Sequence, residues 1–378
     1  MITDPRPVII AAARTPIGTA GGSLRDISVE QLGAPVVSAL TGEFPGLAIE
    51  EVILGNCTGP GGNVARVVAL AAGLPVNVAA TTVDQQCSSG LDAVALGADR
   101  LMSRGGVVVA GGVESASTAP IRHRRAADAA AGDAYERAPF TPIGWDDPDM
   151  GAAADDLAHA RGITRERQDA YAARSHERAV TSSEDGTFAD EIVGIAGVHA
   201  DERPRHGLTA ERLSNFPAAF RDDGTVTAAN SCGVNDGAAA LLMVNGVDYA
   251  EMGVPGMRLL AWASAGVDPT TPGLGVVPAS TAALARADLT WADMDVIEFN
   301  EAFAVQMLAC AEDLGIDEDR ICVQGGAIGL GHPWGASGAV LMVRLFSQLV
   351  GQERGRRGIA AIAGGGGQGV AVVVERCP

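Results

Sequence analysis

The 378-residue chain has a net charge of −19, with 47% hydrophobic but only 4% aromatic residues. All 27 basic residues are arginine, which excludes a Schiff-base lysine and the lysine of a nucleotide phosphate loop. The acidic balance argues against nucleic acid or an anionic membrane as a partner. The length suits two similar α/β domains with a core of Ala, Val, Leu and Ile.

Neither a membrane span nor a secretion signal is visible in the sequence. It has no run of about 18 apolar residues and no charged start followed by a long apolar segment, so we expect a cytoplasmic protein. The six cysteines lack CxxC spacing and are interpreted as reduced thiols. Five of the six histidines lie in or beside residues 119–216 without ligand spacing, so no metal site is predicted.

Apolar runs with glycine stops alternate with helical patterns, which predicts βαβ units. The predicted strands are Val8–Ala13, Val107–Gly112, Thr225–Thr227, Ala238–Val244, Val296–Phe299 and Gly358–Gly365. Predicted helices include one capped by Ser28–Gln31, one over Glu166–Val180 capped by Thr164, and one over Ala302–Cys310. Residues 119–216 differ in composition and are too long for a loop, so they should form structure of their own.

A weak internal repeat links the two ends of the chain. Cys87–Gly90 opens a helix that leads to one predicted strand, and Gly335–Gly338 opens another that leads to Gly358–Gly365. Two copies of one βα unit, each with a glycine-rich turn at a helix start, indicate two similar halves that face a shared site.

Cys87 and His332 are the candidate nucleophile and base. A cysteine at the start of a helix meets backbone N–H groups and the positive end of the helix dipole, so we expect a lowered thiol pKa. A histidine in a tight turn before Pro333 could take the thiol proton. The simpler alternatives are an inert buried cysteine and a histidine that only completes a turn.

Two further segments could stabilise negative charge. Asn300 offers a neutral amide donor, although an asparagine there could instead cap the following helix. Glu301 could support Asn300 or His332. The run Gly364–Gly367 lacks the lysine of a nucleotide loop, so backbone access to a ligand is its better use, and a plain turn is the alternative.

These motifs resemble those of the thiolase family in order and over nearly the whole chain. The resemblance rests on Asp84–Gly90, Asn300–Ala304, Gly325–Gly338 and Ile362–Gly369, with further matches at Ala11–Gly18, Met150, Ser175–Ala179, Gly224–Asn230 and Asn235–Ala239. It implies two βαβαβαββ halves in a five-layered αβαβα core: 1–118 with 217–254, and 255–378, around an inserted loop domain at 119–216. It also implies a homodimer or a homotetramer built from dimers.

The resemblance also implies an acyltransferase that uses coenzyme A thioesters as substrates, with no permanently bound cofactor. Cys87 would be acylated while His332 takes its proton. Asn300 would orient a water that forms an oxyanion hole with His332, and the N–H of Gly365 would form a second hole with that of Cys87. Met150, Ser88 and Trp334 are the implied substrate-binding residues.

The sequence departs from the family pattern at a catalytic position and at positions that contact coenzyme A in family members. Ala363 stands where the family's acid/base cysteine belongs, and Ala302 stands where sterol-carrier-type thiolases supply it. Asp149, Pro217 and Ala261 replace residues that contact coenzyme A in family members. Loss of a positioned acid/base typically costs ~10²–10⁴-fold in rate, so ordinary thiolase activity is doubtful.

Three explanations for Ala363 remain open. The chain could be a thiolase with an engineered Cys→Ala change, a natural enzyme that only transfers acyl groups, or a condensing enzyme driven by decarboxylation. A non-catalytic scaffold subunit is the alternative of another class, although Cys87, Asn300 and His332 would then have no purpose.

A basic cluster stands out on this acidic chain. Arg122, Arg124 and Arg125 could bind phosphate, either of coenzyme A or of a carrier protein's phosphopantetheine. The alternative is a solvated run of surface charges.

Overall fold

The computed structural model describes residues 4–125, 131–135 and 137–377. Within these ranges the chain forms strands β1–β12 and helices α1–α11. The strands are Val8–Arg14, Gly18–Thr19, Glu51–Gly55, Ala79–Val83, Val107–Ser115, Arg122–Arg125, Ala131–Tyr135, Asn235–Val244, Gly256–Gly266, Val296–Phe299, Arg357–Gly364 and Gln368–Cys377.

The helices agree with the strongest signals in the sequence. They are Val29–Glu43, Val64–Ala71, Ser89–Arg104, Met150–Arg161, Arg165–Glu184, Ala210–Leu213, Gly246–Tyr249, Val276–Ala287, Ala304–Leu314, Ala327–Leu330 and Trp334–Phe346. The capping box at Ser28 is present, and the Thr164 hydroxyl caps α5 as predicted. In the described part of the chain, none of the helices is long and apolar enough to span a membrane.

Ten strands form one hydrogen-bonded sheet: nine follow one path in the order β10-β11-β12-β9-β1-β8-β5-β3-β4, and β2 pairs with β8. Strand β3 is parallel to β4 and β5, and β10 is parallel to β11, as crossover helices require. The two halves of the path meet where Val8 and Ile9 of β1 pair with Arg258 and Met257 of β9. The β6–β7 hairpin forms a separate sheet.

The packing gives five layers. Helices α1 and α2 cover one face of the β1–β8 part, and α8 and α9 cover the far face of the β9–β12 part. Helices α3 and α11 lie between the two parts and contact each other and both sheets. The predicted α/β fold is therefore confirmed. The boundaries predicted for the two halves and the insert stay predictions.

One predicted strand was wrong. Thr225–Thr227 is not a strand, because only Thr227 pairs there, in an isolated bridge with Ala218. The C-terminal half also lacks a full third strand: one bridge between Ile297 and Ile321 stands where β3 pairs with β4 in the N-terminal half. Both segments are fixed by side-chain and backbone hydrogen bonds rather than by strand pairing. The hydrophobic pattern of a sequence does not predict such hydrogen bonds.

A buried ion cluster ties the insert to both halves. Arg14 of β1 donates to Glu191 at 2.7 Å and makes a two-pronged pair with Asp201, while Arg344 of α11 also pairs with Glu191. Phe188 packs against both guanidinium groups. Because all three charges of the Arg14–Glu191–Arg344 set are almost fully buried, each depends on its partners.

The first turns of α3 and α11 touch through glycines. A Cβ added at Gly55, Gly90 or Gly112 would lie 2.6, 2.7 or 2.0 Å from the carbonyl oxygen of Gly335. The Glu114 carboxylate accepts the N–H of Gly335 at 3.0 Å and so holds this helix start in place. Only residues without side chains allow backbones to approach so closely.

We expect Gly90→Ala to destabilise the protein by about 1–3 kcal/mol, because its Cβ would meet backbone atoms that cannot rotate away. Gly42→Ala is the matched control: it is also a helical glycine, but its added Cβ meets nothing within 4 Å. That change should stabilise by about 0.5–1 kcal/mol through helix propensity. Urea unfolding of both variants measures the difference, and equal midpoints would contradict the close-contact argument.

Candidate active site

A small cavity of about 30 Å³ lies beside Cys87. Its wall includes residues from both halves and from the insert. Six of them matter for the chemistry: Cys87, Met150, Leu157, Ala302, Phe303 and Ala363. The structure therefore brings the predicted nucleophile, the predicted Met150 and the alanine of the missing cysteine to one apolar site. Leu157 and Phe303 were not predicted, because only the tertiary packing places them there.

Cys87 lies between β4 and α3 in a tight turn, where Gln86 has a φ of 54° and Ser88 immediately precedes the helix. Its own N–H and that of Gly365 both lower the thiol pKa, as expected. Burial outweighs them and raises the pKa of Cys87 to about 12. The predicted lowered pKa was therefore wrong, because loss of solvent penalises the thiolate more than two N–H groups favour it.

Hydrogen bonds hold both the backbone and the ring of His332. Its N–H donates to the Asn235 side chain at 2.9 Å, and its Nδ1 lies 2.6 Å from the Ser337 hydroxyl. The side chain is 2% exposed, and no described residue hydrogen-bonds its Nε2. Burial lowers the pKa of His332 to about 3, so the ring is neutral at pH 7 and able to accept a proton.

Cys87 and His332 each lie shortly before one of the two helix starts that touch through glycines. Cys87 precedes Gly90 by three residues, and His332 precedes Gly335 by three, so the close approach of the two helix starts places both side chains at the same end of the central layer. This approach of the two helix starts is consistent with the shared site predicted from the repeat, which stays a prediction.

Asn300 is buried at the end of β10, where its N–H donates to the carbonyl of Ala361 at 3.0 Å. It does not cap α9, because that helix begins at Ala304 and is preceded by Phe303. The helix-cap alternative was therefore wrong, and the start predicted at Ala302 was two residues early. No described residue hydrogen-bonds the Asn300 amide, which leaves it available to a ligand.

Glu301 supports neither Asn300 nor His332 directly, contrary to the prediction. Its carboxylate accepts hydrogen bonds from Tyr171 at 2.9 Å, Ser175 at 2.6 Å and the N–H of Ile328 at 3.2 Å. Burial raises the pKa of Glu301, whereas these three donors lower it. The residue therefore joins insert helix α5 to the short helix α10 that precedes His332.

Several predicted substrate residues lie outside the cavity wall. The Ser88 hydroxyl is fully buried and bonds to the carbonyl of Gln85 at 2.7 Å, so it does not face a ligand. Trp334 begins α11 without lining the cavity. Arg122, Arg124 and Arg125 lie on hairpin strand β6: Arg122 donates to the carbonyl of Cys57, and Arg124 stacks over Tyr135.

Three positioning residues escaped the sequence analysis: Asn235, Ser337 and Glu114. The spacing His332–Ser337 could have indicated a hydroxyl one helical turn inside α11, close to the imidazole. Asn235 and Glu114 carry no such signal, because they are more than 90 residues away in sequence from His332 and Gly335, respectively, whose N–H groups they accept. Among the described ranges, no group of three or more His, Cys, Asp and Glu side chains could hold a metal ion.

Two family models match the chain: the thiolase N-terminal domain over residues 7–246 and the thiolase C-terminal domain over residues 254–376. The acetyl-CoA acetyltransferases of Pseudomonas aeruginosa and Allochromatium vinosum are 42% and 43% identical to it; each alignment covers 98% of this chain and 99% or 98% of the relative. The crystal structure of the Bacillus anthracis acetyl-CoA acetyltransferase superposes with a TM-score of 0.93, at 37% identity and full coverage of both chains.

Fold and relatives together define an α/β acyltransferase. The chain belongs to the thiolase family, as its motifs indicated.

Alkylation of Cys87 by iodoacetamide should accelerate about tenfold per pH unit from about pH 7 to pH 9, because a thiol with a raised pKa gains thiolate throughout that range. Peptide mapping separates Cys87 from the other five cysteines. A small thiol with a pKa near 8.5 serves as control and should begin to level off. A plateau for Cys87 below about pH 8 would contradict the raised pKa.

Proposed function

We propose that this acyltransferase forms an acyl thioester on Cys87, taking the acyl group from a coenzyme A thioester. The acyl-enzyme would then serve thiolysis or Claisen condensation of a 3-ketoacyl thioester. The observation that carries the proposal is the position of Cys87 before α3, in the wall of an apolar cavity and beside the N–H of Gly365. The names of the relatives support acetyl-CoA as a donor.

His332 is the proposed base of the acylation step. A thiol with a pKa near 12 and an imidazole with a pKa near 3 both rest uncharged in the closed site. As the thiol sulfur bonds to the thioester carbon, its proton passes to Nε2, the ring nitrogen that has no other partner among the described residues. The Ser337 hydroxyl at Nδ1 holds the ring in orientation for this transfer.

Negative charge on the attacked carbonyl oxygen needs preorganised donors. The N–H groups of Cys87 and Gly365 already stabilise charge at the Cys87 sulfur, which supports their use as one oxyanion hole. The amide of Asn300 and the imidazole of His332 are proposed for the second hole, at the thioester that supplies the carbanion.

The second half-reaction is where this chain departs from the family pattern. Ala302 and Ala363 both line the cavity, and a methyl group cannot act as a general acid or base. This observation favours one alternative function, condensation by decarboxylation, in which loss of CO₂ generates the carbanion. An enzyme limited to acyl transfer is the related possibility.

We propose that coenzyme A or a carrier protein contacts the β6–β7 hairpin, which carries the basic cluster. Arg124 and Arg125 are exposed, and Arg122 reaches the carbonyl of Cys57, near the turn that contains Cys87. Guanidinium groups suit phosphate through paired N–H donors.

The proposed homodimer has a suitable surface. Strand β4 (Ala79–Val83) is the last strand of the sheet path and leads directly into the Cys87 turn. Its outer edge pairs with no other described strand. An edge of unpaired N–H and C=O groups favours pairing with a second copy.

Incubation with acetyl-CoA followed by mass spectrometry tests the proposed function. We expect an acetyl adduct on Cys87, none on the Cys87→Ala variant, and slower formation with His332→Ala by about 10²–10⁴-fold because the base is lost. Absence of an adduct on the unchanged protein would contradict the acyltransferase proposal for this donor and favour the scaffold alternative.

The role of Ser337 has its own test. Ser337→Ala should slow acylation of Cys87 by about tenfold or more, less than loss of the base itself, because the imidazole keeps its proton affinity and loses its orientation. The expected signature is a lower maximal acylation rate with an unchanged donor KM. Ser103→Ala, at an exposed hydroxyl near the end of α3, is the matched control and should leave both unchanged. A change in KM alone would exclude the positioning role.

A further inference from the structure

The segment 231–235 runs between the loops of the two distant catalytic motifs. Val234 forms a parallel bridge with His332, and the N–H of Cys232 donates to the carbonyl of Ala302 at 2.9 Å. Ala302 lines the cavity beside Cys87. Cys232 is therefore hydrogen-bonded to the wall of the active site, two residues from the segment that pairs with the His332 loop.

The thiols of Cys232 and Cys87 share one environment. Both side chains are partly exposed, unlike those of Cys310, Cys322 and Cys377. Negative charge on Cys232 raises the pKa of Cys87, an effect second only to burial, so the two sulfurs lie within electrostatic reach. Burial raises the pKa of Cys232 to about 12, and the nearby Arg203 guanidinium lowers it.

Other cysteines are less suited to carry a proton in this site. Cys57 is also partly exposed and feels the charge of Cys87, but its thiol donates to the carbonyl of Gln86 at 3.0 Å. Cys322 is fixed in the same way to the carbonyl of Phe299. No other residue in the described ranges hydrogen-bonds the Cys232 sulfur, so its proton is not engaged.

We propose that Cys232 is the acid/base of α-proton transfer, in place of a cysteine at position 363 or 302. The inference rests on the proposed function, since it assigns the second half-reaction at the same site. Three observations support it. The N–H of Cys232 donates to the carbonyl of Ala302, and Val234 forms a bridge with His332. The Nε2 atom of His332 is buried and has no hydrogen-bond partner among the described residues.

In the proposed cycle, His332 and Cys232 each take up and return one proton, so atoms and charges balance. In acylation, the bond from Cys87 sulfur to the acyl carbon forms, the bond to the coenzyme A sulfur breaks, and His332 takes the Cys87 proton. The departing thiolate takes the proton of Cys232. The Cys232 thiolate then removes an α-proton from a second thioester, and the carbanion attacks the acyl carbon. As the new carbon–carbon bond forms, the sulfur of Cys87 leaves and regains its proton from His332.

A thiol with a raised pKa suits this role because a stronger base removes a weakly acidic carbon-bound proton more readily. The thiolate does not have to form from solvent, since the leaving group generates it within the site. Coenzyme A is itself a thiol, with a pKa near the ordinary ~8.5, so it can depart without that proton when Cys232 is absent. Loss of Cys232 should therefore separate the two half-reactions.

The test follows both half-reactions in one sample. The protein is incubated with acetyl-CoA in D₂O, and mass spectrometry measures the acetyl adduct on Cys87 and the deuterium in the methyl group of acetyl-CoA. We expect both in the unchanged protein. Cys232→Ser should keep the adduct and lose deuterium exchange by about 10²–10⁴-fold. Cys57→Ser, at the other partly exposed thiol near Cys87, is the matched control and should keep both.

A second variant separates loss of chemistry from loss of structure. Adding Ala363→Cys to the Cys232→Ser background should restore exchange, because it supplies a thiol in the cavity wall. Unchanged exchange in Cys232→Ser, or an equal loss in Cys57→Ser, overturns the inference. An unchanged protein that forms the adduct without exchange also overturns it and leaves the proposed acylation intact, whereas absence of the adduct removes the proposed function itself.

Discussion

The contact between the first turns of α3 and α11 is the constraint on which the active site depends. Three glycines surround the carbonyl oxygen of Gly335 at distances that leave no room for a side chain. Because Cys87 and His332 each lie three residues before one of the touching glycines, this single contact fixes the two turns that carry them relative to each other. Glu114 of strand β5 stabilises this contact by accepting a hydrogen bond from the N–H of Gly335. The relative position of the two candidate catalytic turns is thus a consequence of how the two helix starts pack, and substitutions at the glycines would displace these turns without changing Cys87 or His332.

Burial sets the electrostatics of this site more strongly than helix dipoles do. The pKa of Cys87 is raised and that of His332 is lowered, so both groups rest neutral and charge appears only when a proton moves between them. A site of this kind favours reaction with a bound thioester over reaction with solvent reagents. The same low-polarity surroundings make Cys232 a strong base once its proton has left.

Most secondary structure could be predicted from the sequence, because the signals are local. Helix caps at Ser28 and Thr164 depend on residues three positions apart, and β10 was predicted with both ends correct. The failures share a cause: Thr225–Thr227, the partners of Glu301 and the alternative role of Asn300 as a helix cap all depend on contacts between distant segments. The expected thiol pKa failed for a similar reason, since helix position is a local feature but desolvation depends on the whole surrounding core.

The sequence by itself determined the family and the α/β class and singled out Cys87, Asn300 and His332 as candidates, because ordered motifs and hydrophobic periodicity are properties of the chain. It also determined that the side chain at position 363 cannot donate or accept a proton. Only the tertiary structure decided which residues hold His332, which side chains line the cavity and that Cys232 lies against the Ala302 wall. Contacts between segments far apart in the chain form only when the sheets and helices pack, and no local pattern records them.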